Sequence, residues 1–149
     1  MKRSMLSRFL RDARGTSAVE FAILAGPMAL LLVGSLEFGR LYWVRQALQE
    51  TAIEGARCMG VLQPGCKAGT SYSSAATTTF IKDTAKGRGV KLSDSDLTLS
   101  PNTSCSGVSG FSSVTINYTF ETALPPFVAE ALVDGLQLTA TACFPNQNA

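Results

Sequence analysis

Between Phe21 and Leu36 the chain reads FAILAGPMALLLVGSL, a run without a charge, and extending it back to Thr16 admits a single acid, Glu20. A helix of that length rises about 30 Å, enough to cross the hydrocarbon core of a bilayer. The alternative is a buried core helix, but a chain of 149 residues has little left with which to surround it. The segment is therefore expected to lie in a membrane. Beyond it the helical pattern continues: Leu41, Val44, Leu48, Ala52, Ala56 and Met59 recur at three- and four-residue spacing, while Gln46, Gln49, Glu50 and Glu54 fall mainly elsewhere. That stripe predicts a helix seated on its own domain, with a contact surface between subunits as the alternative. Within the apolar run, Ala18, Ala22 and Gly26 share a face that permits close helix approach, and Pro27 is expected to kink the helix one turn into the bilayer.

After Gln63-Pro64-Gly65, a turn, the pattern changes. Ser71 to Lys86 reads as a modest helix stopped by Gly87, weakened by Thr77-Thr78-Thr79. Leu97–Ser100, Ser113–Phe120 and Leu136–Phe144 read as strands, the last two clearly alternating. Pro125 to Leu132 reads as a short helix or docking loop. The expected fold is α+β: a long hydrophobic N-terminal helix continuing into a small domain with a short antiparallel sheet. The expected organisation is a basic leader over residues 1–15, the transmembrane and extended helix over 16–59, and an extracytoplasmic domain over 60–149.

Charge sharpens the topology. Lys2, Arg3, Arg8, Arg11 and Arg14 face one acid, Asp12, before residue 16, whereas the remainder carries eight basic and ten acidic side chains. A basic head ahead of an apolar helix stays on the cytoplasmic side and sends the rest outward. No basic, aromatic-interleaved stripe occurs elsewhere, so nucleic acid is not an expected partner. A cleaved secretory signal fits the head but not the exit, because Glu37-Phe38-Gly39-Arg40 offers no small-x-small site. Histidine is absent, which removes imidazole-based catalysis and histidine-ligated metal sites. Nothing forms a nucleophile, base and orienter set, so neither an enzyme, a cofactor nor a small-molecule substrate is expected. Lys82, Lys86, Arg88 and Lys91 read as a solvated face, and Asp94 and Asp96 as turn-solvating acids.

Glu20 stands where the helix enters the membrane, a costly place for an unpartnered ionisable group. One reading is an interfacial carboxylate that reaches headgroups or takes up a proton. A sharper one uses Gly15. A cut after it makes Thr16 the new N-terminus and Glu20 the fifth mature residue, with ammonium and carboxylate offset by about 6 Å along a helix. In a stack of subunits displaced by that rise, Glu20 of one faces the amine of another, and the paired charge costs far less than a lone one.

This arrangement resembles a type IV prepilin. Gly15, Ala18-Val19-Glu20-Phe21-Ala22, Pro27, Glu37-Phe38-Gly39-Arg40 and Glu54-Gly55-Ala56-Arg57 resemble the N-terminal half of TadE-like (TadE/TadG) proteins, pseudopilins of the tight-adherence (Flp) pilus system. Leu136 to Ala142 is similar to that family's closing strand. The resemblance implies cleavage after Gly15 by a membrane-embedded prepilin peptidase, other pilins and pilus assembly proteins as partners, and a role in pilus assembly rather than catalysis. Thr16 departs from the Phe usual at the first position of type IV pilins. An unprocessed single-pass scaffold of an assembly complex is the alternative.

An oxidising periplasm would allow Cys58, Cys66, Cys105 and Cys143 to pair, and a small domain benefits from such links. Of three connectivities, Cys58–Cys66 across the Pro64-Gly65 turn, with Cys105–Cys143, is the expected one. Zinc binding is the competing use, but no C-x-x-C spacing occurs and no metal is expected.

Overall fold

The computed structural model describes residues 16–122 and 135–147. Its elements run α1 (Thr16–Val61), β1 (Lys67–Ala68), β2 (Ser71–Tyr72), α2 (Ser74–Gly87), β3 (Leu97–Cys105), β4 (Val108–Thr119) and β5 (Gln137–Pro145), with 3-10 turns at Pro64–Cys66 and Asp94–Asp96. This is the expected α+β arrangement. The chain divides into two compact units, one ending at Phe38 and the other beginning at Gly39.

In the second unit, the part of α1 from Gly39 onward packs through the face its apolar spacing marks. Val44, Leu48, Ala52, Ala56 and Met59 are buried and Leu41 packs partly against them. The helix is therefore seated on its own domain. Thr51 also faces inward without cost, because its hydroxyl donates to the Ala47 carbonyl at 2.7 Å. Ile81 and Ala85 of α2, Val90, Leu92, Val114 and Ile116 of β4, Phe120, and Ala140 and Ala142 of β5 complete the core. Small residues on α1 bring backbones close. A methyl group built on Gly55 would lie 2.8 Å from the Ile81 side chain, and one on Gly60 would lie 2.7 Å from the Phe144 ring.

The helix ends are set by local hydrogen bonds. At the close of α1 the Gln63 N–H donates to the Cys58 carbonyl at 3.0 Å and the Leu62 N–H to that of Met59 at 3.3 Å, which puts Leu62 at φ 55°. Ser73 caps α2, accepting from the Ala76 N–H. The same reverse pattern closes α2, with Val90 donating to Ala85 and Gly89 to Lys86. Gly87, expected as the stop, is the last helical residue. The left-handed position falls to Gly89 at φ 82°, where glycine carries no steric penalty.

β3, β4 and β5 form an antiparallel meander in that order. The β4–β5 register is unbroken from Phe111↔Pro145 to Thr119↔Gln137. β3 is longer than its apolar pattern predicts. It pairs regularly from Leu97↔Ile116 to Ser100↔Ser113, then shifts register twice before Cys105↔Val108. Pro101 and Asn102 occupy the first irregularity, where a missing donor and a turn-forming side chain are tolerated on an edge strand. Ser106 and Gly107, both at positive φ, make the two-residue hairpin. Cys105 thus ends a strand rather than lying in a loop, and Cys143 sits within β5. The segment Pro125 to Leu132 lies outside the described residues.

Candidate functional site

Through Phe38, α1 presents apolar side chains on every side. Leu30, Leu31, Leu32 and Val33 point around the whole circumference, yet each is 45–72% exposed. No residue from Ser17 to Phe38 is buried. A helix that is hydrophobic all round requires lipid or other helices around it. α1 is long and apolar enough to cross a membrane, which fits a single-pass membrane protein. Ser35, a hydroxyl within this stretch, donates back to the Leu31 carbonyl at 2.7 Å, so its polar atom needs no outside partner. The helix is continuous through Pro27; the missing N–H removes one backbone hydrogen bond there.

Glu20 lies on this helix and is exposed. Thr16 is the first residue of α1, and Gly15 lies outside the described residues. Ala18, Ala22 and Gly26 fall at four-residue intervals along one side, and nothing lies within 4 Å of where a Gly26 side chain would be. They present a smooth, small-residue strip on which another helix can approach closely.

The second unit gives physical content to the polar motifs further along α1. The Arg40 guanidinium stands 4.4 Å over the Phe120 ring and donates to the Glu121 carbonyl, tying the start of this helical section to the end of β4. Trp43 donates its indole N–H to the Arg88 carbonyl at 3.3 Å. Arg88 in turn pairs with Glu54 at 2.7 Å and Glu50 at 3.2 Å. Hydrogen bonding to Glu54 raises the Arg88 pKa most, against the smaller opposing effect of burial. In the run Glu54-Gly55-Ala56-Arg57, then, Glu54 holds the C-terminus of α2, Gly55 admits Ile81, Ala56 is fully buried and Arg57 is exposed.

The four basic residues expected to form one solvated face have different settings. Lys82 pairs with Asp94 at 2.9 Å, and Arg88 bridges two helices. Asp96 accepts from the Ser93 N–H at 2.8 Å, a cap for its turn. Sequence reasoning missed the Arg88 pairs because the partners stand 34 and 38 positions away, and no local spacing encodes such a contact.

Disulfides join Cys58 to Cys66 and Cys105 to Cys143. The first closes the turn that follows α1. The second ties the tip of the β3–β4 hairpin to β5, linking the two strands that flank β4. All four cysteines are thereby engaged in disulfides.

Residues 15–57 match the model of the TadE family, described as TadE-like protein. No curated protein and no solved structure matches the chain. Over that stretch the chain is similar to TadE-like proteins. The similarity at Leu136 to Ala142 lies outside the matched stretch.

Proposed function

We propose that this TadE-like chain is a minor pilin or pseudopilin of a tight-adherence pilus. In this reading α1 anchors it in the inner membrane with the leader cytoplasmic and the disulfide-linked domain periplasmic, and a prepilin peptidase matures it by cutting after Gly15. The observation that carries the reading is the stretch of α1 up to Leu36, apolar and uncovered by any described residue, with one carboxylate, Glu20, five positions beyond Gly15.

The cut removes the basic leader of residues 1–15 and leaves an ammonium on Thr16. Within one helix that ammonium and the Glu20 carboxylate are about 6 Å apart along the axis. Two subunits offset by the same rise bring the groups together, and each charge then loses less by leaving water. Ala18, Ala22 and Gly26 let the helices approach, since no large side chain stands between them. Lipid surrounds the helix before assembly, and neighbouring pilins or assembly proteins replace it afterwards.

Gly15→Val and Glu20→Gln, each expressed in the native host, test this reading. Gly15→Val is expected to keep its leader and to yield no pili that depend on this subunit. Glu20→Gln is expected to mature normally but to lower piliation by about tenfold, the factor corresponding to 1.4 kcal/mol. Normal maturation of Gly15→Val would remove the cut site from the account, and normal piliation of Glu20→Gln would remove the charge pair.

A further inference from the structure

The two disulfides stand in opposite surroundings. Cys58 and Cys66 are both fully buried at the end of α1, beside the core residues Ala56 and Met59. Cys143, by contrast, is exposed on β5, and Cys105 is half-buried at the end of β3. Thiol–disulfide exchange needs a thiolate to reach one of the two sulfurs, so access governs its rate. A reductant meets Cys105–Cys143 on the folded chain, whereas Cys58–Cys66 is reached only once the end of α1 opens.

What the exposed disulfide holds is equally distinct. From Pro101 to Gly110 no residue is buried, and Val108 is 59% exposed. This tip of the β3–β4 hairpin therefore has no side chain in the core to keep it down. Its pairing is irregular as well: beyond Ser100↔Ser113 the register continues through Thr103↔Phe111 and Cys105↔Val108, with a shift before each. Pro101 marks where the tip begins. Its carbonyl accepts from the Ser112 hydroxyl at 3.1 Å and from the Asn146 side-chain amide at 3.0 Å, which fastens the strand just ahead of the irregular part. Before that point, Leu97 and Leu99 pack against the core and pair with Ile116 and Val114.

We infer that Cys105–Cys143 is a redox-operated latch on the hairpin tip, opened by a dithiol reductant while the rest of the fold stays closed. A thiolate of the reductant attacks Sγ of Cys143, the S–S bond breaks, and Sγ of Cys105 leaves with the bonding pair and takes a proton from water. The second thiol of the reductant, as a thiolate, then attacks the mixed disulfide and releases Cys143. Two electrons have passed to the protein, and the reductant has become a disulfide. With the covalent link gone, residues 102–107 separate from β4, hinging at Pro101. β5 keeps its place, because its pairing with β4 is unbroken from Phe111↔Pro145 to Thr119↔Gln137.

The full chain in mild detergent, treated with dithiothreitol under native conditions, provides the test. Alkylation of freed thiols at timed intervals, followed by peptide mass mapping, reports which bond opens, and amide hydrogen exchange reports what moves. The expected result is alkylation of Cys105 and Cys143 about tenfold or more ahead of Cys58 and Cys66, with faster exchange confined to residues 102–110. A Cys105→Ser, Cys143→Ser double variant should show the same local exchange without reductant, with circular dichroism showing it folded. Opening of both disulfides at one rate, or of Cys58–Cys66 first, overturns the proposal. Reduction of Cys105–Cys143 that leaves exchange at 102–110 unchanged overturns it too, since the tip then needs no latch. So does reduction that loosens β5 and α1 together with the tip, since the bond then braces the whole domain.

Discussion

Replacing Gly55 by alanine adds one methyl group where α1 meets α2 and β4. That carbon would lie 2.8 Å from Cδ1 and Cγ1 of Ile81 and 3.3 Å from a methyl of Val114. Ile81 and Val114 are both fully buried, so neither can swing into solvent to make room. Overpacking of this kind costs about 1–3 kcal/mol, while the change from glycine to alanine within a helix returns about 1 kcal/mol. The net expectation is a destabilisation of about 0–2 kcal/mol. Gly39 is the internal control, because nothing lies within 4 Å of its added methyl. Gly39→Ala should therefore gain about 1 kcal/mol from propensity alone, leaving the pair about 1–3 kcal/mol apart. The assay is urea unfolding of the full chain in mild detergent, followed by circular dichroism. Ile81→Val supplies a second arm. Alone it should cost about 0.5–1.5 kcal/mol, but in the Gly55→Ala background it should cost less, because a crowding methyl is gone. If Gly55→Ala stabilises as much as Gly39→Ala, α1 does not press on α2 and β4 at this point.

Other expectations follow from the same geometry. Removing Cys105–Cys143, which closes 38 residues, should cost about 4 kcal/mol against about 2.5 for Cys58–Cys66, which closes 8; paired alanine variants compared by urea midpoint read the order. Arg88→Ala should lose about 1 kcal/mol in dilute buffer and less at high salt, since both glutamate partners are substantially exposed; unfolding at two salt concentrations checks this. Because the Tyr118 pKa is raised in the fold, its contribution to stability is complete below the ordinary tyrosine value of about 10 and is lost as pH rises through the higher folded value. Melting temperatures between pH 9 and pH 11 should fall more steeply for the native chain than for Tyr118→Phe.

The long helix was legible in the sequence because its two halves obey different rules: no periodicity where none of the described residues covers it, and a single stripe where a domain covers one side. The stripe of Leu41, Val44, Leu48, Ala52, Ala56 and Met59 named much of the packed face, but the glycines at 55 and 60 carried no hydrophobic signal despite standing at the closest approaches. Alternation marked β4 and β5. It failed for the second half of β3, where Pro101 and two register shifts interrupt the period. The short β1–β2 ribbon, two residues on each side, is below the length any pattern can reveal. Glu20 was visible as an acid in an apolar run, whereas Arg40 over Phe120 and Arg88 between Glu50 and Glu54 depend on chain crossings that only the folded molecule provides.

The most direct measurement is the intact mass of the protein extracted from its native membrane, with N-terminal sequencing of the same sample. The account predicts a polypeptide that begins at Thr16 and lacks the basic residues of the leader. A membrane-assembled protein that still carries Lys2, Arg3, Arg8, Arg11 and Arg14 would contradict it, because no ammonium would then stand near Glu20 to offset its charge.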